Sequence, residues 1–299
     1  MPTPQNPGQE SPSTYWVQDR SNKDEFTRLR LQDEMLTANM GGVLPEQANP
    51  GIFERVLDVG CGTGGWLIEA AKTYPNMSRL VGVDISGKMT QYANTQAQAQ
   101  QVSDRVHFQV MDALRTLEFP DASFDLVNLR FGTSFLRTWD WSRLLQEFLR
   151  ISRPGGVIRI TEFGVITETS SPTHKRLLTL IGEALYQAGH VFALHQAVIE
   201  PLAELMRKYG VRNVQIRPYE LLYRSGTPEG RLFFEDTKSL FQTIEPFLRK
   251  WTRVPEDYSE LYQQMLQEMQ QPDFAATFPI FTVWGENTEL PAKNRFRMS

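Results

Sequence analysis

Residues 55–66 read Arg-Val-Leu-Asp-Val-Gly-Cys-Gly-Thr-Gly-Gly-Trp. A short apolar run, Val56, Leu57 and Val59, ends in closely spaced glycines, and a helical pattern of Trp66, Leu67, Ile68, Ala70 and Ala71 begins at once. A strand running through glycines into a helix brings backbone N–H groups and a helix N-terminus against a ligand. Gly60, Gly62 and Gly64 permit the sharp turn and leave no side chain between backbone and ligand. The stretch reads as a nucleotide-type cofactor site on an α/β sheet.

Outward from this turn, apolar runs alternate with amphipathic stretches. Strands are predicted at 55–60, 79–85, 106–112, 124–131 and 156–163, and helices near 64–74, 87–101 and 140–152. Such alternation predicts a parallel, doubly wound sheet. Pro154-Gly155-Gly156 reads as the turn that delivers the fifth strand. Upstream, Phe26, Leu29, Leu31, Met35, Leu36 and Met40 mark an amphipathic helix over 24–40, which Gly41-Gly42 ends. Residues 1–14 carry Pro2, Pro4, Pro7 and Pro12 and no hydrophobic period, and read as a disordered arm.

Beyond Phe163 the pattern changes. Leu177, Ile181, Leu185, Ala188 and Phe192 mark one helical face, and Leu202, Leu205 and Met206 mark a second helix. A strand candidate at 211–223 is followed by two helical patterns, Phe233 to Trp251 and Leu261 to Met269, then by an apolar strand from Phe278 to Trp284 and a polar tail. The expected organisation is an arm and helix over 1–45 and a sheet domain over 46–299, with cap helices at about 170–209 and 229–271. Aromatic residues crowd the regions outside the sheet: Tyr15, Trp16, Tyr186, Phe192, Phe233, Phe234, Phe241, Phe247 and Trp251. Most are read as helix packing, and some as the lining of an apolar pocket beneath the cap.

The 299 residues are 40% hydrophobic and 22% charged, the balance of an ordinary globular chain with ample core material. A formal net charge of −4 offers no electrostatic footprint for nucleic acid. Cys61 is the single cysteine, so no internal disulfide forms, and inside the glycine turn it reads as a small residue that fits rather than a nucleophile. No signal-peptide core follows Met1. No apolar run approaches the ~20 residues a membrane span needs. The expected compartment is the cytoplasm, with no membrane partner.

The glycines alone are ambiguous. Gly60, Gly62 and Gly65 also satisfy the dinucleotide pattern G-x-G-x-x-G, which keeps a nicotinamide-dependent oxidoreductase as a rival. Three carboxylates sharpen the reading. Asp58, two residues before the first glycine, either faces the ligand or fixes the loop through backbone N–H groups. Asp84, ending the second strand, offers acceptors suited to a ribose diol. Asp112, ending the third, can accept from an adenine amino group. Asn128 and Arg130, late in the fourth strand, approach the cleft as ligand contacts or structural groups.

In order, Asp58-Val59-Gly60-Cys61-Gly62-Thr63-Gly64, Gly82-Val83-Asp84-Ile85-Ser86, Met111-Asp112-Ala113, Phe124-Asp125-Leu126-Val127 and Arg153-Pro154-Gly155-Gly156 resemble the successive motifs of class I S-adenosylmethionine-dependent methyltransferases over roughly 50–165. The resemblance implies a seven-stranded, mostly parallel Rossmann-like sheet whose last strand runs antiparallel, with 211–223 and 278–284 as the matching strands. It implies S-adenosylmethionine as cofactor, held by Asp58, Gly60, Cys61, Gly62, Gly64, Asp84, Ile85, Met111, Asp112, Ala113 and Asn128. The Gly-Thr-Gly-Gly-Trp turn, with Arg28, Leu29 and Gln32 upstream, is also similar to methyltransferases of microbial and fungal secondary metabolism. The 170–210 region and Phe281-Thr282-Val283-Trp284 are similar to quinone-biosynthesis methyltransferases.

Methyl transfer from a sulfonium is an in-line displacement, so alignment of acceptor and methyl is the main requirement. A protic acceptor also needs a base. Glu162, ending the fifth strand, is best placed by topology, because ligands bind beyond the carboxyl ends of parallel strands. His174, His190 and His195, read in the helices after the sheet, are further candidates, and His195 is taken with Glu162 as a catalytic candidate. Four histidines and one cysteine without an H-x-x-x-H pattern argue against zinc; a carboxylate site for Mg2+ stays open as the alternative, and no metal is expected. The expected partner is a small, partly apolar acceptor, with a homodimer compatible. The non-enzyme rival is a cofactor-binding regulator that kept the fold and lost transfer.

Overall fold

The computed structural model describes Tyr15, residues 23–164 and residues 168–288. The arm expected over 1–14, Trp16 and the tail after 288 lie outside the described residues.

The helix expected upstream is α1 (Lys23–Asn39). It precedes β1 (Arg55–Val59), α2 (Gly65–Thr73), β2 (Arg79–Asp84), α3 (Gly87–Ala99), β3 (Val106–Val110), β4 (Phe124–Arg130) and α4 (Trp141–Ile151). There follow β5 (Ser152–Phe163), the two-residue β6 (Glu168–Thr169), α5 (Pro172–Gln187), α6 (Ile199–Lys208) and β7 (Val211–Arg224). The described elements close with α7 (Pro228–Thr243), α8 (Glu245–Trp251), α9 (Tyr258–Met269) and β8 (Ala275–Asn287).

The strands form one sheet in the order β3-β2-β1-β4-β5-β8, with β7 on the far side of β8. β1 to β5 run parallel, and β8 is antiparallel to both β5 and β7. This is the seven-stranded, doubly wound sheet expected. The extra β6 pairs with β8 at Thr277 and Ala276, along the same edge that β5 occupies at Ile280. Strand order reverses between β1 and β4, and the crevice at such a reversal is where ligands bind in this architecture.

Alternate strand residues feed two cores, as the period of two requires. Leu57, Val59, Val127, Leu129, Ile158 and Ile160 pack beneath α4 and α6. Val56, Leu80, Leu126 and Val157 pack against Trp66, Leu67 and Ile68 of α2 on the other face. A third core joins Met35 and Leu36 of α1, Leu177 of α5, Phe233 and Phe241 of α7, Phe247 of α8, Leu261 and Met265 of α9, and the outer part of β7 and β8.

Several boundaries differ from the sequence reading. β5 begins at Ser152, which pairs with Phe124; the register slips before Leu126, and Gly155, at φ +74°, takes up the irregularity inside the strand. The region 229–271 holds three helices instead of two, because Pro246 sits in the first turn of α8 and restarts the chain after Ile244. The pair in 170–209 divides between layers: α5 joins the third core, whereas Ile199, Leu202 and Met206 of α6 pack under the sheet. His190 and His195 fall in the connection between those helices, outside both. Among the described residues, no helix is long and apolar enough to cross a membrane.

Candidate cofactor and acceptor site

A cavity of about 720 Å³ opens at the carboxyl ends of β1, β2 and β4, between the sheet and α1, α5 and α7. One end of it is built on the glycine turn. Gly60, Gly62 and Gly64 have φ of 69°, 50° and 77°, a region unfavourable to any residue with a Cβ. The Gly60 and Cys61 N–H groups both donate to Val83 O, at 2.8 and 3.0 Å, which pins the turn to β2. The Gly62 N–H donates to Asp84 Oδ2 at 3.0 Å, and the Ser86 N–H to Asp84 Oδ1 at 2.9 Å. A Cβ on Gly62 would meet open space, whereas one on Gly64 would fall 2.5 Å from the Phe108 ring.

Asp58, Gly60, Cys61, Gly62, Asp84, Ile85, Met111, Asp112 and Ala113 all line this cavity. Asp112 accepts from the Leu114 N–H at 2.9 Å, which aims the short turn after β3. Two expected members stand behind the wall. Gly64 is the N-cap of α2, buried between the turn and Phe108, and Asn128 lies wholly buried beneath Asp58, to which its Nδ2 donates at 2.7 Å. Burial pushes the Asp58 carboxyl up to about 6, opposed by the Arg130 guanidinium and the Asn128 amide. Burial also holds the Cys61 thiol well above its ordinary range, with Asp84 and Asp58 adding to the effect, so it is no nucleophile.

The sequence reading missed Asp33, Thr133, Ser134 and Asp236 on this wall. Arg28, Leu29, Gln32 and Asp33 share one face of α1 by their i, i+4 spacing, a signal legible in the chain. Arg130, from the end of β4, forms an ion pair with Asp33, hydrogen-bonds Thr37 Oγ1 at 3.3 Å and lies 5.8 Å over the Trp66 ring. Arg28 donates to Asp236 of α7 at 3.0 Å with both side chains nearly buried, Gln32 donates to the same carboxylate, and Arg28 also donates to Tyr15 Oη at 3.3 Å. A polar seam thus ties α1 to α7 across the cavity.

The opposite end is aromatic. Phe131, Phe163, Phe233, Phe241 and Phe278 line it with Leu178 and Leu240. Phe131 and Phe163 stack at 3.9 Å between ring centres, 10° from parallel. Of the other aromatics singled out, Tyr15 reaches the wall; Trp251 does not, and stacks on the Arg137 guanidinium instead.

The catalytic candidates fare differently. Glu162 does not reach the wall: it alternates to the face that carries α4, is fully buried, and accepts from the Thr133 N–H at 3.1 Å. Its Oε2 and the Thr133 hydroxyl have no hydrogen-bond partner, and burial pushes the carboxyl up to about 8. Thr133 itself lines the cavity. His195 is an exposed residue at the mouth, on a loop with φ +59°. His190 is buried, with Nδ1 2.8 Å from Leu136 O. His174 lines the aromatic end with Nδ1 3.2 Å from Thr169 Oγ1, and burial drives it down to about 4, so it is neutral at physiological pH. Among the described residues no group of three or more His, Cys, Asp or Glu side chains is assembled for a metal ion.

Residues 56–156 match the family model described as a methyltransferase domain. A demethylmenaquinone methyltransferase of Lactiplantibacillus plantarum is 38% identical over 181 residues, covering 55% of this chain and 73% of that protein. The chain belongs to the class I S-adenosylmethionine-dependent methyltransferases. With that, the nicotinamide reading of the glycines falls. Over a longer stretch, the methyltransferase is 28% identical to the 27-O-demethylrifamycin SV methyltransferase of Amycolatopsis mediterranei, across 92% of this chain and 85% of the relative. In fold it is similar to phosphoethanolamine N-methyltransferase 2 of Haemonchus contortus, solved with S-adenosyl-L-methionine, at a TM-score of 0.53 and 21% identity, covering 91% of this chain and 59% of that one.

Proposed function

We propose that this methyltransferase moves the methyl group of S-adenosylmethionine to a small, partly apolar metabolite seated at the aromatic end of the cavity. One observation carries the reading: a single continuous cavity joins the glycine turn to the aromatic wall. The residues fit the cofactor. Gly62 leaves open space where any other residue would intrude, and the Gly62 and Ser86 N–H groups hold the Asp84 carboxylate on the cavity wall, where it would meet a ribose diol. Asp58, Cys61, Ile85, Met111, Asp112 and Ala113 complete that end. When bound, S-adenosylmethionine supplies the electrophilic methyl group.

The chain's own residues then align and exclude. The Phe131–Phe163 stack fixes the plane of an apolar acceptor, and the Arg28–Asp236 seam, with α5 and α7 acting as a cap, keeps water from the reacting atoms. A protic acceptor would pass its proton through the Thr133 hydroxyl to Glu162 once that hydroxyl turns towards the unpartnered Oε2, in the fraction of enzyme whose Glu162 is ionised, which grows as pH rises towards 8. His195 at the mouth serves entry rather than proton transfer. The chemistry runs without a metal, and the reading includes a cytoplasmic enzyme of secondary metabolism, supported by the relative that acts on 27-O-demethylrifamycin SV.

Methyl-labelled S-adenosylmethionine incubated with a panel of phenols, hydroquinones, alcohols and amines tests this. Label in an acceptor together with S-adenosylhomocysteine supports the proposal. Tight cofactor binding with no transfer to any member would favour the regulator.

A further inference from the structure

Three polar side chains stand in one row across the centre of the sheet. Asp58 of β1 is register-paired with Asn128 of β4, and Asn128 with Arg159 of β5. All three point to the face that carries Trp66, and each is nearly or wholly buried. The contacts run in one direction. Asn128 Nδ2 donates to Asp58 Oδ1 at 2.7 Å, and Arg159 Nη1 donates to Asn128 Oδ1 at 2.8 Å. At the far end Arg159 Nε and Nη2 donate to the two carboxylate oxygens of Glu46, at 2.8 and 3.3 Å. Glu46 belongs to the loop between α1 and β1, and Tyr219 Oη donates to it from β7 at 3.4 Å. Only the Asp58 end of the row opens onto the cavity.

Apolar side chains would fill central strand positions without the desolvation that a buried ion pair suffers. The Arg159–Glu46 pair has side-chain exposures of 1% and 0%, so solvent does not screen it. The Asn128 amide has one orientation open to it: its oxygen must face the arginine, which turns its nitrogen to Asp58. Charge at Glu46 is thereby linked, through fixed groups, to a carboxylate on the cofactor wall.

We propose that Glu46, Arg159 and Asn128 are positioning residues that set the orientation and charge of the Asp58 carboxylate, so that the loop after α1 tunes cofactor affinity. The proposal rests on the reading that Asp58 contacts the cofactor. Charged or titratable groups facing Asp58 are Arg130 from β4, Asp33 from α1, Arg159 from β5 and the Cys61 thiol. All but Arg159 are common to every variant below.

Calorimetry of S-adenosylhomocysteine binding to the full chain between about pH 5 and 8.5 tests the idea, with thermal melting as a check on folding. Wild type should change affinity through about pH 6, where Asp58 ionises. Arg159→Met should weaken binding about tenfold at neutral pH and move the inflection upward, while Arg159→Lys restores most of it. Glu46→Gln, the mild and nearly isosteric change, should move the inflection the opposite way, because Arg159 then acts on Asp58 without its counter-charge. Loss of stability alone would not shift the two variants in opposite directions. If Asp58→Asn abolishes the inflection but folded Glu46→Gln and Arg159→Lys leave it unmoved, the positioning role is overturned. If Asp58→Asn changes nothing, the reading of Asp58 as a cofactor contact fails first.

Discussion

Glu162 is a fully buried carboxyl with one unpartnered oxygen, and its replacement by glutamine makes a quantitative test of that environment. Burial raises its pKa from 4.5 to about 8. Below the lower value both folded and unfolded chains hold the proton. Between the two values only the native protein does, so stability falls as pH rises through this window and levels off above it. The full span corresponds to roughly 5 kcal/mol of pH-dependent stability, reduced by relaxation around the ion to about half that. Glutamine keeps an oxygen for the Thr133 N–H and cannot ionise, at a cost of ~1–3 kcal/mol where its NH2 group lacks an acceptor. Glu162→Gln should therefore be less stable than wild type at pH 5 and gain on it by about 2–5 kcal/mol by pH 8.5. Urea unfolding at the two pH values, compared at equal m, measures the difference. A difference that stays constant with pH would show that Glu162 titrates normally in the native protein and would sink the proton-accepting role proposed with it.

Asp84→Ala should weaken S-adenosylhomocysteine binding by ~1–3 kcal/mol by calorimetry, since it frees the Gly62 and Ser86 N–H groups that shape the turn. Gly64→Ala forces a left-handed residue against the Phe108 ring and should cost more than about 2 kcal/mol in a denaturant titration, whereas unchanged stability would mean that the turn re-forms around the new methyl. Asp236→Asn should raise acceptor KM while leaving S-adenosylhomocysteine affinity within about twofold, because it loosens the Arg28 seam without touching the glycine turn. Activity should survive chelators, and recovery on adding magnesium after loss with EDTA would contradict the metal-free reading.

What the chain discloses unaided follows from locality. β1 was legible because Val56, Leu57 and Val59 run straight into glycines whose spacing only a tight turn explains, and the parallel order followed from the strand–helix alternation. The carboxylates Asp84 and Asp112 were legible because strand ends are fixed by the same signals. Asn128 and Glu162 stand behind the cavity wall for a shared reason. Both lie late in a strand that points at the cleft, but a side chain there reaches the ligand only if it is long enough and on the right face. Asn128 spends its hydrogen bonds on Asp58 and Arg159, and Glu162 turns under the short 3-10 turn at Gly132–Ser134. Glu46 and Asp236 were invisible because their partners sit over a hundred residues away, and nothing in local composition announces them. The third cap helix was hidden by Pro246, which reads as a break yet sits where a helix begins.

β8 lies between β5 and β7 and is antiparallel to both, although it follows both in the chain. As the polypeptide emerges, β5 and β7 each present an unpaired edge, and α7, α8 and α9 form before the strand that will back them has appeared. Pairing Val157 with Glu286 closes a very long loop, the kind of step that slows folding and exposes intermediates to self-association. Insertion of a single strand therefore completes the sheet and seats the cap together. Placing the keystone strand after the elements it joins leaves both of those edges open until the last strand is in place.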